Sequence, residues 1–230
     1  MVSVIIPAYN EEGTIGESVA AVYGHPLVRE IIVVDDGSTD RTAAIAEGKG
    51  VRVIRLAKNR GKSDAMAEGV LAAKSEVILF IDADVTGLTH EKLSWIMDPV
   101  VRGELEMHVG VRARDAFFNK AFRLFPIIGG ERALTKKLWN SFPREHKRGF
   151  QIEIALNYAA KQTKRGMGCV LITGVKHHIK ERKYGLWVGL RRRASMVKDI
   201  LLISFGLYVL GFLYKVFPPL QKLSRVRLNE

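Results

Sequence analysis

Hydrophobic and polar positions alternate in blocks along the first 85 residues. The run VSVIIP (2–7) is apolar and rich in β-branched residues, as expected of a strand buried on both faces. EIIVVDD (30–36), VRVIRLA (51–57) and EVILFID (76–82) read the same way. Between them lie helical patterns at 11–24, 38–50 and 61–74, the second with Ser38 or Thr39 as N-cap and Asp40 in its first turn. Strands alternating with helices predict right-handed crossovers and a parallel sheet, hence an α/β fold.

In such sheets ligands bind beyond the carboxyl ends of the strands. All four predicted ends carry polar clusters: Pro7 to Glu11, Asp35-Asp36-Gly37-Ser38, Asn59-Arg60-Gly61-Lys62, and Asp82-Ala83-Asp84. Two carboxylates closing a buried strand are costly unless a positive charge lies between them. A hard divalent cation suits them, because Mg²⁺ takes few carboxylates and completes its shell with substrate phosphate oxygens. Asp35 or Asp36 can accept hydrogen bonds from a ribose or a base. Lys62, opening a predicted helix, can meet a phosphate or simply be solvated. The glycines form neither GxGxxG nor a P-loop, which argues against dinucleotide and ATP-loop readings.

Beyond residue 100 the pattern loosens. A strand is expected at Met107–Val111, ending in Arg112, and short helices over AFFNKAFRLFP and GGERALTKKLWNSFP, the second starting after Gly129-Gly130. FQIEIALNYAAKQ (150–162) reads as a helix, and GCVLITGVKHHI as a strand or a bent pair. The tail differs: 184–199 is basic, and 200–214 holds fifteen residues without a charge. A spanning helix needs about 20 apolar residues. The expectation is therefore a helix lying in the interface, with Arg191, Arg192, Arg193 and Lys198 near anionic headgroups. A short span, or packing on the protein or a second subunit as a homo-oligomer, stays open. The expected division is 1–183 (halves 1–86 and 87–183) followed by a membrane-associating tail, 184–230.

Composition adds three constraints. A chain of 230 residues, 47% hydrophobic and 26% charged, can bury one large core. Its net charge of +12 is weighted to the later part and calls for an acidic partner, such as anionic membrane or phosphate-bearing substrates. No zinc spacing, RNA-binding aromatic signature or basic zipper accompanies it, so nucleic acid is not expected. The single cysteine, Cys169, permits no internal disulfide and is expected to be a small buried hydrophobe in a reducing, cytosolic protein. The start, MVSVIIPAYNEE, has no charged n-region, so no signal peptide is indicated.

VSVIIPAYNEEGTIGESVAAV, EIIVVDDGSTDRTAAIA, LAKNRGKSDAMAEGV and VILFIDADV together resemble the family-two glycosyltransferases of GT-A fold. The resemblance implies a nucleotide-sugar donor, a divalent metal (Mg²⁺ or Mn²⁺) and inversion at the anomeric carbon. It implies that Pro7, Tyr9 and Glu11 line the nucleoside pocket, that Asp35 contacts base or ribose, and that Asp82 and Asp84 bracket metal and diphosphate; Lys62 is counted with the donor-binding residues on its own position. More loosely, VGVR (109–112), GGERALTKKLW (129–139), GFQIEI (149–154) and KERKYG (180–185) resemble the polyprenyl-phosphate branch, of the dolichol-phosphate mannose synthase type. Arg112 and Arg132 would then face an acceptor phosphate, and Gln151 and Glu153 would sit beside the reaction centre. Arg182 or Lys183 would neutralise the leaving diphosphate. GGER and KERKYG depart from that branch's serine-containing segments. The resulting expectation is sugar transfer to a lipid acceptor at the cytoplasmic membrane face, with Asp84, Glu153 and Arg132 catalytic. A hydroxyl acceptor, needing Glu153 as base, and a non-catalytic nucleotide-sugar-binding protein are the alternatives.

Overall fold

The computed structural model describes residues 1–112, 129–141 and 151–177. Strands β1 (Val2–Ala8), β2 (Val28–Asp35), β3 (Arg52–Arg55), β4 (Val77–Phe80), β6 (Met107–Arg112), β7 (Arg132–Thr135) and β8 (Met167–Ile172) form one sheet in the order β3-β2-β1-β4-β7-β6-β8. A small ribbon pairs β5 (Val85–Thr86) with β9 (Lys176–His177). The helices are α1 (Ile15–Val22), α2 (Thr42–Gly48), α3 (Lys62–Ala72), α4 (His90–Val101), α5 (Lys136–Ser141) and α6 (Gln151–Lys161).

Strands β1 to β4 are parallel, as the apolar runs predict. Successive residues point to opposite faces, and each face meets its own helical layer. Val4 and Ile6 join Ile15, Val19, Leu93 and Met97 on one side. Ile5, Ile32 and Val34 join Met66, Val70, Leu138 and Trp139 on the other. With both faces covered, the strands need no polar alternation. From β1 the sheet grows through β2 and β3 in one direction and through β4 in the other. The order therefore reverses between β1 and β4, the place where open α/β sheets leave a crevice.

Several sequence expectations are corrected. The helix expected from 11 begins only at Ile15, because the carbonyl of Glu11 accepts from the amides of Thr14 and Ile15 in a preceding turn. The second begins at Thr42, where Asp40 accepts from its backbone N–H at 3.0 Å; neither Ser38 nor Thr39 is the cap. Residues after Gly129-Gly130 form a strand before they form a helix. β7 runs antiparallel between β4 and β6, pairing Phe80 with Arg132 and Val109 with Arg132. Local helix-forming character yields there to two vacant ladder edges. Cys169 is exposed, because β8 is an edge strand whose Cys169 and Leu171 share the outward face. The segment 166–177 is the bent pair, β8 then β9. The basic and apolar tail, 184–230, lies outside the described residues; among those described, no helix is long and apolar enough to cross a membrane.

Candidate active site

A cleft of about 390 Å³ opens at the carboxyl ends of the parallel strands. Pro7, Tyr9 and Glu11 line it from the tip of β1, Asp36 from β2, Asn59, Gly61 and Lys62 from the turn into α3, and Asp82 and Asp84 from β4. The four polar tips singled out in the sequence thus meet in one place.

The tips are held by side chains that grip neighbouring backbone. Asn10 takes a left-handed conformation (φ 55°), which asparagine tolerates better than most residues, and its Oδ1 accepts from Thr39 N–H at 2.9 Å. The Asn10 amide in turn donates to Ser38 Oγ at 2.9 Å. Asp36 is buried, and its two oxygens accept from the amides of Arg60 and Gly61, each at 2.8 Å. Gly37 (φ 72°) has no room for a side chain, since a Cβ would lie 2.7 Å from the carbonyl carbon of Lys58. Asp36-Gly37 therefore presses the β3–α3 turn onto the tip of β2, and this aims Lys62.

The second half of the site is a chain of charges. Lys62 Nζ lies 2.7 Å from Asp82 Oδ1 and 3.6 Å from Glu153 Oε1. Glu153 Oε2 lies 3.4 Å from Arg132 Nη2. Arg132 Nε donates to Gly129 O at 3.0 Å, and its Nη1 donates to the backbone carbonyl of Glu153 at 3.3 Å. Gly130 backs the Asp82 end of the chain, because a Cβ there would overlap the Asp82 carboxylate. The antiparallel direction of β7 makes this possible: it starts, rather than ends, at the mouth of the sheet, so Arg132 stands beside the end of β4. At Lys62, desolvation opposes the charge, but Asp82 and then Glu153 outweigh it and hold the ammonium above its ordinary range. At Arg132, burial dominates and pulls the guanidinium below its ordinary value against Glu153, Asp82 and Glu131.

Some predicted residues fall elsewhere. Asp35 is not among the residues that line the cleft; neighbouring strand residues face opposite ways, and Asp36 takes the wall while Asp35 Oδ1 is buried with no hydrogen-bond partner among the described residues. Arg132, only 1% exposed and wrapped around Gly129, faces no open space for an acceptor phosphate. Glu153 is buried behind Lys62 rather than presented to the cleft. Arg112 ends β6 at the same edge of the sheet, outside the cleft wall. The side chain of Gln151, and all of Arg182 and Lys183, lie outside the described residues. Asp36, Asn59 and Gly130 are site residues that the sequence reading did not single out individually. The doubled aspartate of DDGS and the doubled glycine of GGER were the available signals.

Asp82 and Asp84 fit a hard divalent cation. They offer two carboxylates at an open mouth, and the cleft leaves room for phosphate oxygens and water to complete the shell. Among the described residues no group of three or more His, Cys, Asp or Glu could hold a metal unaided. An ion held here would draw further oxygens from its ligand.

Residues 3–157 match the sequence pattern of the family described as Glycosyl transferase family 2. The chain belongs to this family. An uncharacterized protein of Methanocaldococcus jannaschii is 37% identical over 130 residues, 55% of this chain and 52% of that protein. The 4,4'-diaponeurosporenoate glycosyltransferase of Staphylococcus aureus is 32% identical over 139 residues, 55% of this chain and 37% of the enzyme. Glucosyl-3-phosphoglycerate synthase of Mycobacterium tuberculosis is 28% identical over 138 residues, 56% of this chain and 41% of the enzyme. The chain thus spans about half the length, or less, of the curated relatives it matches. A crystal structure of that synthase with Mn²⁺, UDP-glucose and phosphoglyceric acid aligns with a TM-score of 0.74 at 23% identity, covering 90% of this chain and 79% of that one. The shared feature is the GT-A fold: a mostly parallel mixed sheet flanked by helices. Family 2 membership and the cleft describe one region, since the matched residues contain every described strand tip that lines it.

Proposed function

We propose that this family 2 chain is an inverting, divalent-metal-dependent glycosyltransferase that moves a sugar from a nucleotide-sugar donor to an anionic lipid acceptor, a polyprenyl phosphate, at a membrane surface. One observation carries the reading: Asp82 and Asp84 stand at the mouth of a cleft walled by three other strand tips, at the point where the strand order reverses. Pro7, Tyr9 and Glu11 would receive the nucleoside. Lys62, the one basic side chain among the described residues lining the cleft, would receive the diphosphate. A bound Mg²⁺ or Mn²⁺ on Asp82 and Asp84 would neutralise charge building on the departing nucleoside diphosphate. In the transfer, an acceptor oxygen bonds to the anomeric carbon as the bond from that carbon to the diphosphate breaks. The electron pair leaves with the diphosphate.

The position of Glu153 supports an acceptor that is already ionised. Its carboxylate is buried and held between Lys62 and Arg132, so the base that a hydroxyl acceptor would need is not presented to the cleft by Glu153. A phosphate monoester needs no base. The lipid part of the reading rests on the net charge of +12 and on the uncharged run 200–214 beside a basic segment. Two of the three named relatives are named for acids: a phosphoglycerate and a diaponeurosporenoate.

The test is nucleotide release with Mn²⁺ and a panel of UDP and GDP sugars, offered undecaprenyl phosphate, diacylglycerol or 3-phosphoglycerate. Release stimulated by undecaprenyl phosphate in anionic vesicles is the expected result. Stimulation by 3-phosphoglycerate alone would replace the lipid with a small soluble acid. Diacylglycerol alone would restore the hydroxyl mechanism. Donor binding without turnover on any acceptor would leave a nucleotide-sugar-binding protein.

A further inference from the structure

The ammonium of Lys62 has two carboxylates within reach and is closer to one of them. It hydrogen-bonds Asp82 Oδ1 at 2.7 Å, while Glu153 Oε1 lies 3.6 Å away. A movement of about 1 Å would bring the second contact to charge-assisted hydrogen-bond length. The chain of charges around it is stiff. Arg132 anchors Glu153 from behind, and Gly130 backs Asp82. Lys62 is the freest member: its side chain is 41% exposed, against 19% for Asp82, 9% for Glu153 and 1% for Arg132. A unit positive charge on Asp82 opposes the approach of a second cation by Coulomb repulsion.

We propose that Lys62 is a placeholder cation, resting on Asp82 in the unliganded protein and passing to Glu153 and the donor's diphosphate when the metal takes its place. This rests on the reading of Asp82 and Asp84 as the cation's ligands. It gives Glu153 a different task from a general base: it is the positioning residue that receives Lys62. It also makes metal and nucleotide bind with positive coupling. Only the nucleotide supplies the extra anionic charge that draws the ammonium off Asp82, and coupling of this kind is reciprocal.

The experiment is calorimetric titration of Mn²⁺ into the full chain, alone and with saturating UDP or GDP, for wild type, Lys62→Met, Lys62→Gln and Glu153→Gln. Circular dichroism melts establish that each variant is folded. Wild type is expected to bind Mn²⁺ weakly alone and more tightly with nucleotide. Lys62→Met should bind Mn²⁺ alone about two- to fivefold more tightly than wild type, the scale of a partly exposed charge pair, and should show a smaller enhancement by nucleotide, keeping only the part that phosphate oxygens on the ion supply. Lys62→Gln keeps a donor between the carboxylates without the charge and should behave likewise if the methionine variant does not fold. Glu153→Gln should weaken Mn²⁺ binding in the presence of nucleotide. Equal Mn²⁺ affinity in folded wild type and both Lys62 variants would overturn the placeholder role while leaving the metal site standing. No Mn²⁺ binding by any protein, with or without nucleotide, would overturn the metal assignment and this inference together.

Discussion

The two halves of the cleft hold their residues by different physical means. On the β1–β3 side, polar side chains tie one loop's backbone to the next strand tip, as Asp36 does with Arg60 and Gly61, and Asn10 with Thr39. On the β4–β7 side, the residues are positioned by charges compensating one another, in the chain Asp82, Lys62, Glu153 and Arg132, buried at its Arg132 end. Neutral or single-charge hydrogen bonds to backbone fail one at a time. A linked chain of charges with a buried end fails as a unit, because removing Arg132 strands buried Glu153. The β1–β3 side should therefore lose stability in small steps, and the β4–β7 side in large ones.

The largest effect tests the metal mouth where both halves meet. Asp84→Ala is expected to lower metal-dependent transfer by about a thousandfold, or about 4 kcal/mol in the barrier, with little change in the melting curve. Full activity in this variant would remove the metal assignment. Arg132→Met probes the chain of charges itself. It leaves Glu153 buried beside one cation instead of two, and urea unfolding should show a loss of about 3 kcal/mol or more. A loss under about 1 kcal/mol would erase the contrast between the halves.

Gly130→Ala sharpens the contrast, because the chain of charges also relies on a missing side chain. Its Cβ must displace the Asp82 carboxylate, so the expected cost is about 1–3 kcal/mol in urea unfolding together with weaker Mn²⁺ binding. Unchanged Mn²⁺ affinity would show that Gly130 does not position Asp82. On the other side, Asp36→Asn removes one of two acceptors and should cost about 1–2 kcal/mol by the same measurement. A larger loss than that of Arg132→Met would reverse the comparison.

The smallest effect lies away from the cleft, in the loop that leads into β2. His25 is buried and its Nδ1 accepts from Leu27 N–H at 3.1 Å. Burial, opposed by the backbone of His90, pulls its pKa below the usual value, so the native state disfavours the proton that the unfolded chain accepts. Stability is therefore complete above the usual histidine pKa of about 6.5 and declines as pH falls below it. Urea midpoints at pH 7.5 and pH 5.5 should differ in that direction, and His25→Asn should reduce the difference.

The parallel core and its ligand edge were legible in local sequence pattern alone. Runs such as VSVIIP and EIIVVDD carry their strand identity locally, and crossover handedness then places their ends together. The tips of β1, β3 and β4, and the Asp82/Asp84 pair, were legible for that reason. Tertiary structure decided which of Asp35 and Asp36 faces the cleft, that residues 132–135 fill a gap between two strands, and that Arg132 and Glu153 serve Lys62 and not an acceptor. These depend on pairing between segments distant in the chain, where a lysine's or arginine's partner is set by packing. Neighbouring residues in the sequence carry no signal of that choice.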